Sequence, residues 1–225
     1  MKPASGAYTS EFRYEFESQT AALLRRRFIW FTAVVGGLGV ALLALVIVLF
    51  LVNQQSAALP TVGPELYAML AGVLGTVVYL VSLLLVLTKR VVGRSILLLS
   101  IGIVIFDGVL NITLQLLGGV TWVFGFTVSY TLAAAFLPWS VRQALVPAGV
   151  VLGLNTVLKL TVDPGFGVAA GVLALLNTMT VAPGLLICWW RQSTRLRDSQ
   201  FNFIQRRYGE VRRELTDARR IHEAM

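Results

Sequence analysis

The sequence predicts an all-α integral membrane fold, with six transmembrane helices followed by a cytoplasmic coiled-coil-type helix. Three observations carry this expectation. The chain is 56% apolar and 13% charged over 225 residues, too oily for a soluble domain of that length. Its apolar residues gather into runs of roughly 20, the length that crosses about 30 Å of hydrocarbon at about 1.5 Å per residue. Basic residues sit between alternate runs and in the tail.

The spans are expected at 28–52, 66–87, 95–117, 120–138, 141–160 and 167–190. The first follows a polar segment ending in Arg25, Arg26 and Arg27, so it is a retained helix and not a cleaved signal peptide. The second stops at Lys89 and Arg90, and the third starts just after Arg94. Gly118 and Gly119 then suit a tight helical hairpin into the fourth. Residues around Pro138 and Arg142 separate the fourth from the fifth, because one continuous helix there would overshoot a bilayer. The sixth ends at Trp189, Trp190 and Arg191.

With both termini cytoplasmic, every basic residue except Lys159 falls on the inner side, which fixes orientation by the positive-inside rule. Trp30, Trp139, Trp189 and Trp190 fall at inner span ends and Trp122 at an outer one, where indoles favour the interface. The expected organisation is a cytoplasmic juxtamembrane segment at 1–27, a six-span domain at 28–190 and a cytoplasmic signalling helix at 191–225, in a multi-pass plasma-membrane (inner-membrane) protein.

A net charge of +8 and a pI near 10.3 raise nucleic-acid binding, but the charge is distributed as topology signals and a basic tail. The expected partner is therefore the lipid bilayer and not nucleic acid. One cysteine, Cys188, excludes an internal disulfide, and one histidine, His222, excludes a multi-histidine metal site. No cofactor is expected, and the chain is not expected to be an enzyme by itself. Gly36, Gly37 and Gly39, Gly72 and Gly75, and Gly167 and Gly171 read as points of close helix packing.

Two polar rows interrupt the spans. Asp107, Asn111 and Gln115 recur every four residues on the third span, and Asn155, Lys159 and Asp163 do so on the fifth. Asn177 on the sixth falls near the same depth. From the inner end, Asp107 lies about 18 Å deep and Lys159 about 24 Å, close enough to meet if the helices are neighbours. Such groups serve either as interhelical hydrogen-bonding contacts or as a site for a small ligand or ion reached from the outer side. The second use would make the chain a small transporter or channel working through Asp107 and Lys159.

Past Trp190 the chain turns charged and proline-free. Phe201, Ile204, Tyr208, Val211, Leu215, Ala218, His222 and Met225 follow alternating steps of three and four, the a/d pattern of a coiled coil. Its seam is marginal: Glu214 with Arg219 attracts across a parallel homodimer, while Arg207 with Arg212 repels. A marginal seam suits a relay with two arrangements of comparable energy.

The segment ELTDARRIHEAM, Glu214 to Met225, resembles the linker preceding bacterial serine/threonine phosphatase domains of the SpoIIE/RsbU type (protein phosphatase 2C-like), commonly E-L-x-x-A-R-x-I-Q-x-x-L/M. Glu214, Leu215, Ala218, Arg219, Ile221 and Met225 match, and His222 replaces the usual glutamine. The resemblance covers about a dozen residues and implies a metal-dependent catalytic domain downstream, whose aspartates have no counterpart here. Six spans with a dimeric helix also resemble the membrane half of class III adenylyl cyclases. The expected function is a dimeric membrane sensor or anchor that signals through its helix to such an output domain, in a chain cut from a longer protein.

Overall fold

A computed structural model of the chain describes residues 7–53, 64–117, 122–162 and 167–224. All of its regular structure is helical: α1 Ala7–Asn53, α2 Pro64–Leu87, α3 Arg94–Leu116, α4 Trp122–Phe136, α5 Val141–Val162 and α6 Gly167–Ala224. Among the described residues, four stretches are long and apolar enough to cross a membrane: Phe12–Val48, Met69–Leu87, Arg94–Leu116 and Val141–Thr161. These make the chain membrane-embedded. The hairpin at Gly118 and Gly119, and Asp163 and Met225, lie outside the described residues.

Two helices run on past the expected spans, α6 by joining the sixth span to the tail helix expected after it. α1 starts at Ala7, so most of the juxtamembrane segment is one helix with the first apolar run. α6 continues without a break from Gly167 through Pro183 to Ala224, 58 residues, or about 87 Å of helix. In the opposite sense, α4 has only 15 residues. It stops at Phe136 because Pro138 steers Leu137 away from helical geometry.

α1 packs on α2, and α3 joins that pair to a group made with α4, α5 and α6. Small residues permit the closest approaches. A methyl added at Gly39 would strike Thr76 of α2, one at Gly184 would strike the Tyr130 ring, and one at Gly108 would meet Val151 and Phe126. Nothing lies near Gly37, which takes no part in this packing. The core holds Phe28, Phe31, Phe126, Tyr130 and Trp139. Phe31 contacts both Tyr79 and Phe136, with centroids 5.9 and 6.3 Å apart.

Outside this core the surface is apolar. Leu38, Leu42, Leu84, Leu98 and Leu186 are exposed, as suits side chains facing lipid. Trp30, Trp189 and Trp190 are exposed too. Trp139 is different: it is 1% exposed, and its Nε1 donates to Ser100 Oγ at 3.1 Å. It is a core residue tying the α4–α5 corner to α3, not an interfacial anchor.

Candidate functional site

Of the two polar rows, Asn155 is buried and Asp107, Asn111, Gln115 and Lys159 are half-buried, and the rows do not meet as charges. Ser129 of α4 and Tyr79 of α2 are near enough to Asp107 of α3 to interact with it electrostatically. The Ser129 hydroxyl donates to the Gly125 carbonyl at 3.1 Å and lies close enough to Asp107 to favour its charged form. Asn111 donates to the Asp107 carbonyl at 2.8 Å, and its amide lies directly over Gly125, where an added methyl would collide with it.

No ion pair joins Asp107 to Lys159 among the described residues. The register of α3 on α5 explains this. Gly108 sits against Val151, so Lys159, eight residues further along α5, lies about 12 Å beyond Asp107's level. Asn155, one turn past Val151, comes closer to that level and is 3% exposed. Lys159 is half-buried and Gln115 half-buried near the far end of α3. Asn177 is on α6, but its side chain lies outside the described residues.

Three buried polar atoms, Asp107 Oδ2, Tyr79 Oη and Asn155 Nδ2, have no hydrogen-bond partner. Orphaned polar atoms in an apolar interior cost of order 1–3 kcal/mol each. Tyr79 and Ser129 escaped the sequence reading because neither lies on a four-residue polar row; only the packing puts them beside Asp107.

At the basic end of the bundle, α6 is fastened to the α4–α5 corner. Gln192 Oε1 accepts from the Val141 amide at 3.0 Å, and Arg191 Nη1 donates to the Ala134 carbonyl at 3.4 Å. Ser140 and Gln143 cap α5 reciprocally, through Ser140 N to Gln143 Oε1 at 2.9 Å and Gln143 N to Ser140 Oγ at 3.3 Å. Tyr130 Oη donates to the Ala144 carbonyl at 3.0 Å.

The tail helix has two distinct faces. Phe203 meets Phe12 of α1 edge-on, with centroids 5.6 Å apart, and Arg206 donates to Glu15 at 2.6 Å. These are c and f positions of the heptad. The a/d positions lie on the other side: Phe201, Ile204, Tyr208, Val211 and Leu215 are all exposed, as are Ala218 and His222. The α1 extension as a partner of α6 was missed from sequence, although Phe12 and Phe16, one turn apart, were its visible signal.

No family model matches the chain, nor does any curated protein or solved structure.

Proposed function

We propose that the chain is a six-span membrane sensor or anchor that dimerises through the a/d face of its tail and relays a signal along it. One observation carries the reading. α6 is a single helix from the buried interior, at Val181 and Cys188, to the tail, and its apolar seam is exposed while its opposite face is held by α1. A displacement in the bundle is thereby transmitted to the seam without an intervening loop.

The six-span placement is supported by the contact between Phe12 and Phe203, which sets the start of α1 and the tail of α6 on the same side. An even number of crossings follows, and both termini are cytoplasmic by the distribution of basic residues. The output domain we favour, on the resemblance at Glu214 to Met225, is a serine/threonine phosphatase joined to the tail; an adenylyl cyclase is the competing output. A transporter using Asp107 and Lys159 has less support, because the register of α3 on α5 holds the two apart.

Cysteine crosslinking tests the dimer. In a Cys188→Ala background, Val211→Cys and Leu215→Cys in membranes should each give covalent dimers, and Arg213→Cys far less. Equal yields at all three positions would reduce the tail to a solvated tether.

A further inference from the structure

A cavity of about 420 Å³ opens at the basic end of the bundle, between α1, α3, the α4–α5 corner and α6. Its walls are largely apolar, with Phe16, Leu24, Leu97 and Pro138 among them. Its polar lining is mainly cationic or neutral: Arg94 and Arg195, with Thr20, Gln143 and Gln192. The one acid, Glu17, is already beside Arg13 at 3.6 Å.

Among the described residues, no acid pairs with Arg195. Its Nη1 is buried with no hydrogen-bond partner, and its Nε reaches only the Arg191 carbonyl at 3.4 Å. Burial and the neighbouring Arg27 hold its guanidinium below its usual pKa range. With Arg27 close by and Arg94 in the same lining, the half-buried Arg195 makes this wall of the cavity positive, which favours an anion. The cavity also meets the start of α3, whose N-cap Gly93 supplies no side-chain hydrogen bond, so the helix dipole adds to the same polarity.

We propose that this cavity binds a phosphate group, carried there by an anionic phospholipid. The apolar walls favour a lipid over free phosphate. So does the depth: Gln192 of the cavity wall lies just past the exposed Trp189 and Trp190 on α6, the headgroup level of a bilayer. Because Gln192 and Arg195 belong to α6 and Phe16 and Thr20 to α1, an occupant touches both helices that extend into the tail region. The inference rests on the membrane placement proposed above, not on the relay.

The test is native mass spectrometry of the detergent-purified full chain titrated with phosphatidylglycerol, with phosphatidylcholine and inorganic phosphate as separate probes. The wild type should retain phosphatidylglycerol over phosphatidylcholine. Arg94→Gln and Arg195→Gln should each weaken it about tenfold, the size expected for losing one charge-assisted hydrogen bond. Thr20→Trp, which fills the cavity and keeps both arginines, should also abolish binding and covers the case in which an arginine variant fails to fold. Displacement of the lipid by millimolar phosphate, with phosphate itself bound, would keep the phosphate site and overturn its lipid source. Binding unchanged in Thr20→Trp and in both arginine variants would overturn the site. Alkaline extraction of membranes, run in parallel, separates the two readings: release of the chain defeats the membrane placement, whereas retention without lipid binding defeats only this site.

Discussion

The Arg206 guanidinium donates to the Glu15 carboxylate across 2.6 Å, joining residues 191 positions apart. The pair is partly exposed, at 56% and 32%, so it contributes about 0–1 kcal/mol. The adjoining contact of Phe12 with Phe203 adds about 0.5–1.5 kcal/mol beyond its buried area. Together they hold two helical extensions side by side, and they do so on the face of α6 that the heptad seam does not use.

Phe12→Cys with Phe203→Cys, in a Cys188→Ala background, should therefore form a disulfide within one chain. Oxidised protein should run as a monomer of altered mobility in denaturing gels without reductant. Dimer bands from that pair would assign the contact to two subunits and remove the argument that both ends of one chain share a side.

Packing at glycine gives a second expectation. Gly108→Ala forces a methyl into Val151 and Phe126, and overpacking of this kind costs about 1–3 kcal/mol. Thermal unfolding in detergent should move down by several degrees. Gly149→Ala, with nothing within 4 Å of the new carbon, should be neutral or stabilising by up to about 1 kcal/mol, since alanine is the better helix former. Equal effects at the two positions would contradict the α3–α5 register.

That register also decides the fate of the buried charge. Asp107→Asn and Lys159→Met should be additive within about 0.5 kcal/mol, as for residues far apart without shared partners. Asp107→Asn with Ser129→Ala should depart from additivity, because Ser129 lies near the Asp107 carboxyl and favours its charged form. Detergent unfolding of the single and double variants measures both cycles. Strong coupling between Asp107 and Lys159 would restore the ion pair that sequence spacing suggests.

The contrast between these residues explains what a sequence of this kind discloses. α2, α3 and α5 lie within two residues of their expected limits, 66–87, 95–117 and 141–160, because an apolar run bounded by charge is a local property of the chain. The distance between Asp107 and Lys159 is not local. It depends on which residue of α3 admits α5, and Gly108 was one of several glycines with nothing in the spacing to single it out. The cavity at Arg195 was equally hidden, since its lining comes from four separate parts of the chain. Trp139 misled for a related reason: an indole at a span end serves equally as an interfacial anchor or, given a buried hydroxyl such as Ser100, as a core donor.

Reporter fusions address orientation. A reporter active only outside the cytoplasm should be silent when fused after Arg94 or Arg142 and active after Pro60 or Gly119, given the bias of basic residues. Activity after Arg142 would mean that α4, at 15 residues, does not cross, and the span count would fall.

The proposed relay is tested by changing helical phase. Deleting Gly209 rotates everything downstream by about 100°. Val211, Leu215, Ala218 and His222 then leave the line set by Phe201, Ile204 and Tyr208, so a seam built on all of them loses register. The contacts of α1 with Phe203 and Arg206 lie upstream and are untouched, which supplies an internal control: the Phe12–Phe203 disulfide should still form. Removal of seven residues from the tail beyond Tyr208 restores the heptad phase and should be tolerated far better. In a fusion to a phosphatase domain, the one-residue deletion should lose or invert control of activity, and the seven-residue deletion should keep it. Indifference to both deletions, with the disulfide intact, would mean that the tail tethers its cargo and carries no signal.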